Sequence, residues 1–231
     1  MTKIRKKIKK LIISNKTLSC IIRPFYMLRY HKYGFDSDEY WESRYKSGEN
    51  SGAGSYGRLA KFKAKIINNF VSNNNINFAI ELGCGDGNQL SLFNIPRYIG
   101  LDVSKYSIKL CQKIFAKDKS KSFFLYRPGL LVNSYVNSKS DLSLSLDVIF
   151  HLVEDEIYRK YMKNLFSSSN KYIIIYSSNT DTQDVIQPQH IKHRKFTNWV
   201  SQNANKWKLI EKIKNDFPLL KDVNEESISD F

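Results

Sequence analysis

Seven consecutive residues, Glu81-Leu82-Gly83-Cys84-Gly85-Asp86-Gly87, limit what this chain folds into more than any other segment. They end the apolar run Asn77-Phe78-Ala79-Ile80-Glu81-Leu82, which reads as a buried strand. Three glycines at alternate positions then permit a sharp backbone turn, since glycine adopts left-handed dihedrals at no steric cost. A second apolar run, Tyr98-Ile99-Gly100-Leu101, closes on Asp102, 19 residues after Gly83. Strand, glycine turn and acid-terminated strand describe an α/β domain, a mostly parallel sheet with helices on both faces.

The rest of the chain extends that pattern. Gly48, Gly52, Gly54 and Gly57 mark a loop after Tyr40-Trp41-Glu42-Ser43-Arg44-Tyr45, and Leu59, Phe62, Ile66 and Phe70 predict a helix from Arg58 to about Val71. A helix is expected directly after Gly87. Another spans 105–117, with Ile108, Cys111, Ile114 and Phe115 on one side. Strands are expected at Ser122–Tyr126, Leu142–Val148 and Tyr172–Tyr176. The last two flank a helix whose first turn holds Glu154, Asp155 and Glu156, acids that complement its positive end. A helix at Phe196–Gln202 and a strand at Lys208–Ile213 follow, and Ser227–Phe231 looks like the opening of a last antiparallel strand.

Composition decides where the charge sits. With 42% apolar and 13% aromatic residues, 231 residues make a globular domain and exclude a disordered or collagen-like chain. The 37 Lys and Arg exceed 22 Asp and Glu by +15, which alone points to a polyanionic partner. Residues 1–34 carry ten of those bases and no acid; removing them leaves 27 against 22, or +5, for residues 35–231. The excess therefore belongs mainly to a basic N-terminal arm. Ile4, Ile8, Leu11 and Ile12 give that arm an amphipathic period, and three readings stand: a solvated helix, peripheral contact with an anionic membrane, or contact with nucleic acid. Three scattered cysteines, Cys20, Cys84 and Cys111, no metal-like spacing, no signal-peptide core and no membrane-length apolar window lead to the expectation of a cytoplasmic protein without a metal.

Chemistry concentrates beyond the strand ends. Glycines there let a backbone approach a ligand, and an acid closing the second strand accepts hydrogen bonds from both hydroxyls of a ribose. A dinucleotide fingerprint needs glycine at 88, where the chain has Asn88. The pattern of acid, then G-x-G-x-G, resembles the first motif of class I S-adenosylmethionine (SAM) dependent methyltransferases. The resemblance continues through Tyr98-Ile99-Gly100-Leu101-Asp102-Val103-Ser104 and through residues 141–152, and covers roughly residues 77–215. It implies a Rossmann-like sheet, SAM as cofactor and S-adenosylhomocysteine as product.

By that resemblance Glu81, Gly83, Gly85 and Asp86 line the methionine side of SAM and Asp102 holds the ribose. Cys84 and Gly87 of the same turn, Val103 and Asp147 complete the implied cofactor set. Arg127 departs from the family, which often places an acid or amide there for adenine; the backbone of Leu125 and Tyr126 is the alternative. The segment at about 38–57 is similar to the N-terminal lids of small-molecule methyltransferases, with Trp41 and Arg44 closing on the cofactor and Arg44 pairing with its carboxylate. Packing of Trp41 and Tyr45 against the sheet is the equal reading.

Methyl transfer to a hydroxyl needs positioning and removal of a proton. His151, just past the fourth strand, is a candidate base or a structural cap. His190 and His193, in Gln189-His190-Ile191-Lys192-His193-Arg194, form either a grip for an acidic acceptor or a solvated basic loop. No proline adjoins another, and no cysteine has the proline neighbour of a nucleophilic pyrimidine methyltransferase, so these forms of nucleobase methylation are set aside. The whole pattern looks most like methyltransferases found with bacterial capsule and lipopolysaccharide genes. That implies O-methylation of a sugar or its phosphate derivative; RNA methylation and a non-catalytic SAM-binding subunit are the alternatives.

Overall fold

The computed structural model describes residues 35–129, 139–183, 187–220, 222 and 225–231. The basic arm lies outside the described residues, and with it the helix expected there. Five strands, β1 (Phe78–Leu82), β2 (Arg97–Asp102), β3 (Lys121–Leu125), β4 (Ser140–Leu146) and β5 (Ser169–Tyr176), form one sheet in the order β3-β2-β1-β4-β5. Every pairing is parallel, with Ile80 opposite Ile99 on one side and Ser143 on the other. The Rossmann-like fold implied by the glycine turn is therefore present.

Alternation along β1 shows why both faces are covered. Phe78, Ile80 and Leu82 pack with Tyr158, Tyr161, Met162 and Leu165 of α4 (Asp155–Ser167), against which α5 (Phe196–Asn203) lays Trp199 and Val200. Ala79, one residue out of phase, joins Phe62, Ile67 and Val71 of α2 (Gly57–Asn73) and Ile108 and Cys111 of α3 (Lys105–Ile114). Each fully buried Leu or Ile in these layers contributes about 1.5–3 kcal/mol. The α3 start is capped by Ser104, whose side chain accepts from the Ser107 N–H. A further helix, α1 (Ser37–Lys46), capped by Asp36, precedes a single 3₁₀ turn at Ala53–Ser55.

Two expected elements are absent. No helix follows Gly87; there is only a 3₁₀ turn at Leu90–Leu92. Gly83, Gly85 and Gly87 all hold left-handed dihedrals, which an α-helix does not continue, and residues 88–95 make only that one turn before Pro96 and β2. Lys208–Ile213 is not a strand, and Leu209 and Ile210 are 82% and 73% exposed. Strand structure requires a paired neighbour. Among the described residues that edge carries only an antiparallel bridge of Ser177 with Asp230 and the reciprocal backbone bonds of Ile213 with Phe231. The expected final antiparallel strand is thus reduced to isolated pairings: Asp230 bridges Ser177 antiparallel, Ser227 bridges Pro218 parallel, and Phe231 bonds Ile213.

Candidate active site

A crevice opens at the C-terminal ends of β1, β2 and β4, where the strand order reverses direction from the centre of the sheet, the usual ligand position of such folds. Asp102 ends β2 with both carboxylate oxygens occupied by the loops: Oδ2 accepts the Gly85 N–H at 2.9 Å and Oδ1 the Ser104 N–H at 2.9 Å. Each oxygen retains a further lone pair for a ligand hydroxyl. Burial raises its pKa to about 6 despite these bonds. Glu81, inside β1, accepts from the Tyr98 hydroxyl; burial raises it to about 7, while Tyr98 and Lys63 pull it down.

The glycine turn is shaped as much by the protein as by any ligand. At Gly83, φ is +89° and an added Cβ would lie 2.5 Å from Val148 Cγ2. Gly83→Ala is therefore expected to lose about 2–4 kcal/mol, from left-handed strain plus overpacking; a urea midpoint equal to wild type would contradict this. At Gly85 an added Cβ would collide with the Ser51 hydroxyl, so the segment after α1 sits directly on the turn.

Together α1 and the segment after it are latched at three points. Asp86 Oδ2 accepts from the Ser51 N–H (2.8 Å) and the Tyr56 hydroxyl (2.9 Å), and the Asp86 N–H donates to Ser51 Oγ. Glu42 Oε2 accepts from Ser104 Oγ (2.6 Å) and the Tyr106 N–H (3.1 Å), joining α1 to the start of α3. Ser37 donates its N–H and hydroxyl to Glu154, ahead of α4.

Rings crowd the far wall. Trp41 lies edge-on to His151 at 4.9 Å between centroids, His151 stacks on His190 at 5.3 Å, and His190 on Tyr40 at 4.7 Å. His151 Nδ1 is 2.8 Å from the His190 carbonyl oxygen. A carbonyl only accepts, so Nδ1 carries the proton and Nε2 is the lone-pair nitrogen. Burial lowers the His151 pKa to about 3, leaving the ring neutral at physiological pH.

The residues expected from the sequence divide accordingly. Trp41, Glu81, Gly83, Cys84, Gly85, Asp102, Val103, Asp147 and His151 share the crevice wall. Asp86 turns to the segment after α1, and Gly87 packs toward Phe115 and Cys111. Arg44 donates to the Asn50 carbonyl and pairs with Glu49. His193 meets Ser178 Oγ through Nδ1 at 2.8 Å, while Lys192 and Arg194 both reach Asp155 at 2.7 Å. Arg194 also donates to the Leu152 and Val153 carbonyls, so the basic segment is bound to α4 and the loop before it. Of the Leu125–Tyr126 backbone expected to meet adenine, the Tyr126 N–H bonds the Asp102 carbonyl. Sequence reading missed Gln89, whose Oε1 is buried on the crevice wall without a partner among the described residues while its Nε2 donates to Ala60 O. Its only signal was a polar residue just past the glycines.

Solved structures share this fold. The methyltransferase domain of bacterial CtHen1-C aligns with a TM-score of 0.56 at 19% identity, over 73% of this chain and 94% of that one. A SAM-dependent methyltransferase from Clostridium acetobutylicum gives 0.54 at 14% identity, over 70% and 87%. TehB from Haemophilus influenzae gives 0.51 at 20%, over 72% and 58%. No family model matches the chain, and no curated protein sequence does. At such identities the likeness is one of fold.

Proposed function

We propose that this chain is a SAM-dependent methyltransferase that methylates a hydroxyl of a small polar acceptor, a carbohydrate or its derivative. The observation that carries this reading is the Asp102 carboxylate at the end of β2, hydrogen-bonded to the glycine turn and sharing a crevice with Glu81. The donor set suits the cofactor. Asp102 has a lone pair on each oxygen for the two ribose hydroxyls, Glu81 supplies an anion for an ammonium, and Gln89 Oε1 is a buried acceptor in want of a donor. Bound SAM supplies an electrophilic methyl on a sulfonium.

The protein's share is to position the acceptor and receive its proton. The hydroxyl proton of an acceptor being methylated would become strongly acidic. His151 Nε2, though a weak base, is then basic enough to take it. The Trp41 ring and the Asp38 carboxylate on the crevice wall offer apolar stacking and a hydroxyl partner to a sugar. Lys192 and Arg194 are already paired with Asp155, which favours a hydroxyl acceptor over a phosphate grip. No helix among the described residues is long and apolar enough to cross a membrane, and the capsule or lipopolysaccharide setting rests on the sequence resemblance.

The test is incubation with labelled SAM and a fractionated sugar-nucleotide and polysaccharide pool. Label in an alkali-stable ether of a sugar fraction is the expected result. Cofactor binding with no transfer to any fraction would return the non-catalytic reading, and label in RNA would return the RNA reading.

A further inference from the structure

Lys63 of α2 is the only Lys or Arg among the described residues whose side chain is buried, at 0% exposure, and it belongs to no motif of the sequence. Its Nζ lies 2.7 Å from Asp147 Oδ2 and 5.2 Å from the centroid of the Tyr176 ring. Asp147 follows β4 on the crevice wall with φ at +58°, a left-handed conformation that is unusual outside glycine. Ser229 donates its hydroxyl to the other carboxylate oxygen at 3.1 Å, and Gly54 of the lid passes so close that a Cβ there would lie 2.6 Å from Oδ2. A buried cation is retained only where anions or hydrogen bonds compensate it.

We propose that Lys63 is a positioning residue for the cofactor: it pins Asp147 at the end of β4 and acts as the shared counter-ion of Asp147 and Glu81, keeping the crevice anionic toward the cationic end of its ligand. The inference rests on the SAM reading above. Glu81 is one strand from Asp147 and feels Lys63 favourably and Asp102 unfavourably; Tyr98 bonds it, and Cys84 and Tyr161 are its other titratable neighbours. Without Lys63, three carboxylates, Glu81, Asp102 and Asp147, would share one enclosed wall. Such clusters retain protons. A neutral Glu81 no longer attracts an ammonium.

The experiment compares wild type with Lys63→Met by two readouts. Carbon-13 carboxyl NMR of the ligand-free protein should show the Glu81 titration moving up by about one pH unit or more in the variant. Calorimetry with S-adenosylhomocysteine should show affinity reduced about threefold or more near pH 7, the deficit closing toward about pH 8.5 as Glu81 ionises. Should Lys63→Met fail to fold, the double variant Lys63→Met with Asp147→Asn removes both charges, and asparagine tolerates the left-handed conformation; an upward Glu81 shift smaller than that of the single variant is expected, since one anion leaves with the cation. An unmoved Glu81 titration overturns the proposal, as does an affinity loss equal at every pH, which would mark a purely structural lysine. Wild-type protein that binds no S-adenosylhomocysteine, while its Glu81 titration responds to the variant, overturns the cofactor reading and leaves the Lys63–Glu81 coupling standing.

Discussion

Asp102→Ala should weaken S-adenosylhomocysteine binding by about 100-fold or more. Hydrogen bonds to a charged acceptor contribute about 1.5–3 kcal/mol each, and a ribose with two hydroxyls makes two of them. The alanine variant loses both at once. It also deprives the Gly85 and Ser104 N–H groups of the acceptor that holds the glycine turn to the start of α3. Asp102→Asn separates these effects, because its remaining carbonyl oxygen accepts one backbone N–H and one hydroxyl, and it should fall between alanine and wild type. Calorimetry on variants with unaltered circular dichroism is the measurement. Equal dissociation constants for wild type and alanine variant would remove Asp102 from the site.

The same carboxylates set a pH dependence whose sign is fixed. Glu81 near 7 and Asp102 near 6 are both raised by burial, and a ligand bringing an ammonium to the first and hydroxyl donors to the second favours their ionised forms. Binding therefore releases protons, and affinity is full above about pH 7 and falls progressively as pH drops through 7 and then 6. Affinity that rises on acidification from pH 7.5 would contradict both assignments.

The centre of this protein was legible because its constraints are local. Phe78–Leu82 is apolar enough to be nothing but a buried strand, and the glycines after it serve the turn that the structure requires. Asp102 followed from its place at the end of the next strand. What escaped was set by partners distant in the chain. Asp86, next to Gly85, reads as a cofactor residue, yet its carboxylate is directed by Ser51 and Tyr56, about 30 positions away. Lys63 appears as one more polar residue of an amphipathic helix; only the folding of Asp147 beneath it reveals a buried ion pair. The Lys208–Ile213 segment carries three apolar residues of strand-forming type, but local composition cannot supply the neighbour that a strand must pair with.

His151→Ala should lower turnover about tenfold or more, short of the largest general-base effects because a pKa near 3 lies far below the working pH, while cofactor affinity stays within about twofold. Two roles need separating, since His151 both presents Nε2 to the crevice and ties the His190 carbonyl through Nδ1. Asparagine divides them: its amide N–H donates to the His190 carbonyl as Nδ1 does, and no basic nitrogen remains. If proton removal is the role, His151→Asn is as slow as His151→Ala. If anchoring the 187–194 segment is the role, asparagine restores turnover and the base lies elsewhere. The pH profile offers an independent check. With a pKa near 3, His151 is neutral across the working range, so wild-type turnover at saturating cofactor should show no imidazole inflection between about pH 6 and 8. A profile that rises tenfold per unit through pH 6.5 and flattens above it, and loses that limb in His151→Asn, would mean an imidazole far more solvated than the ring enclosed by Trp41, Phe150 and His190.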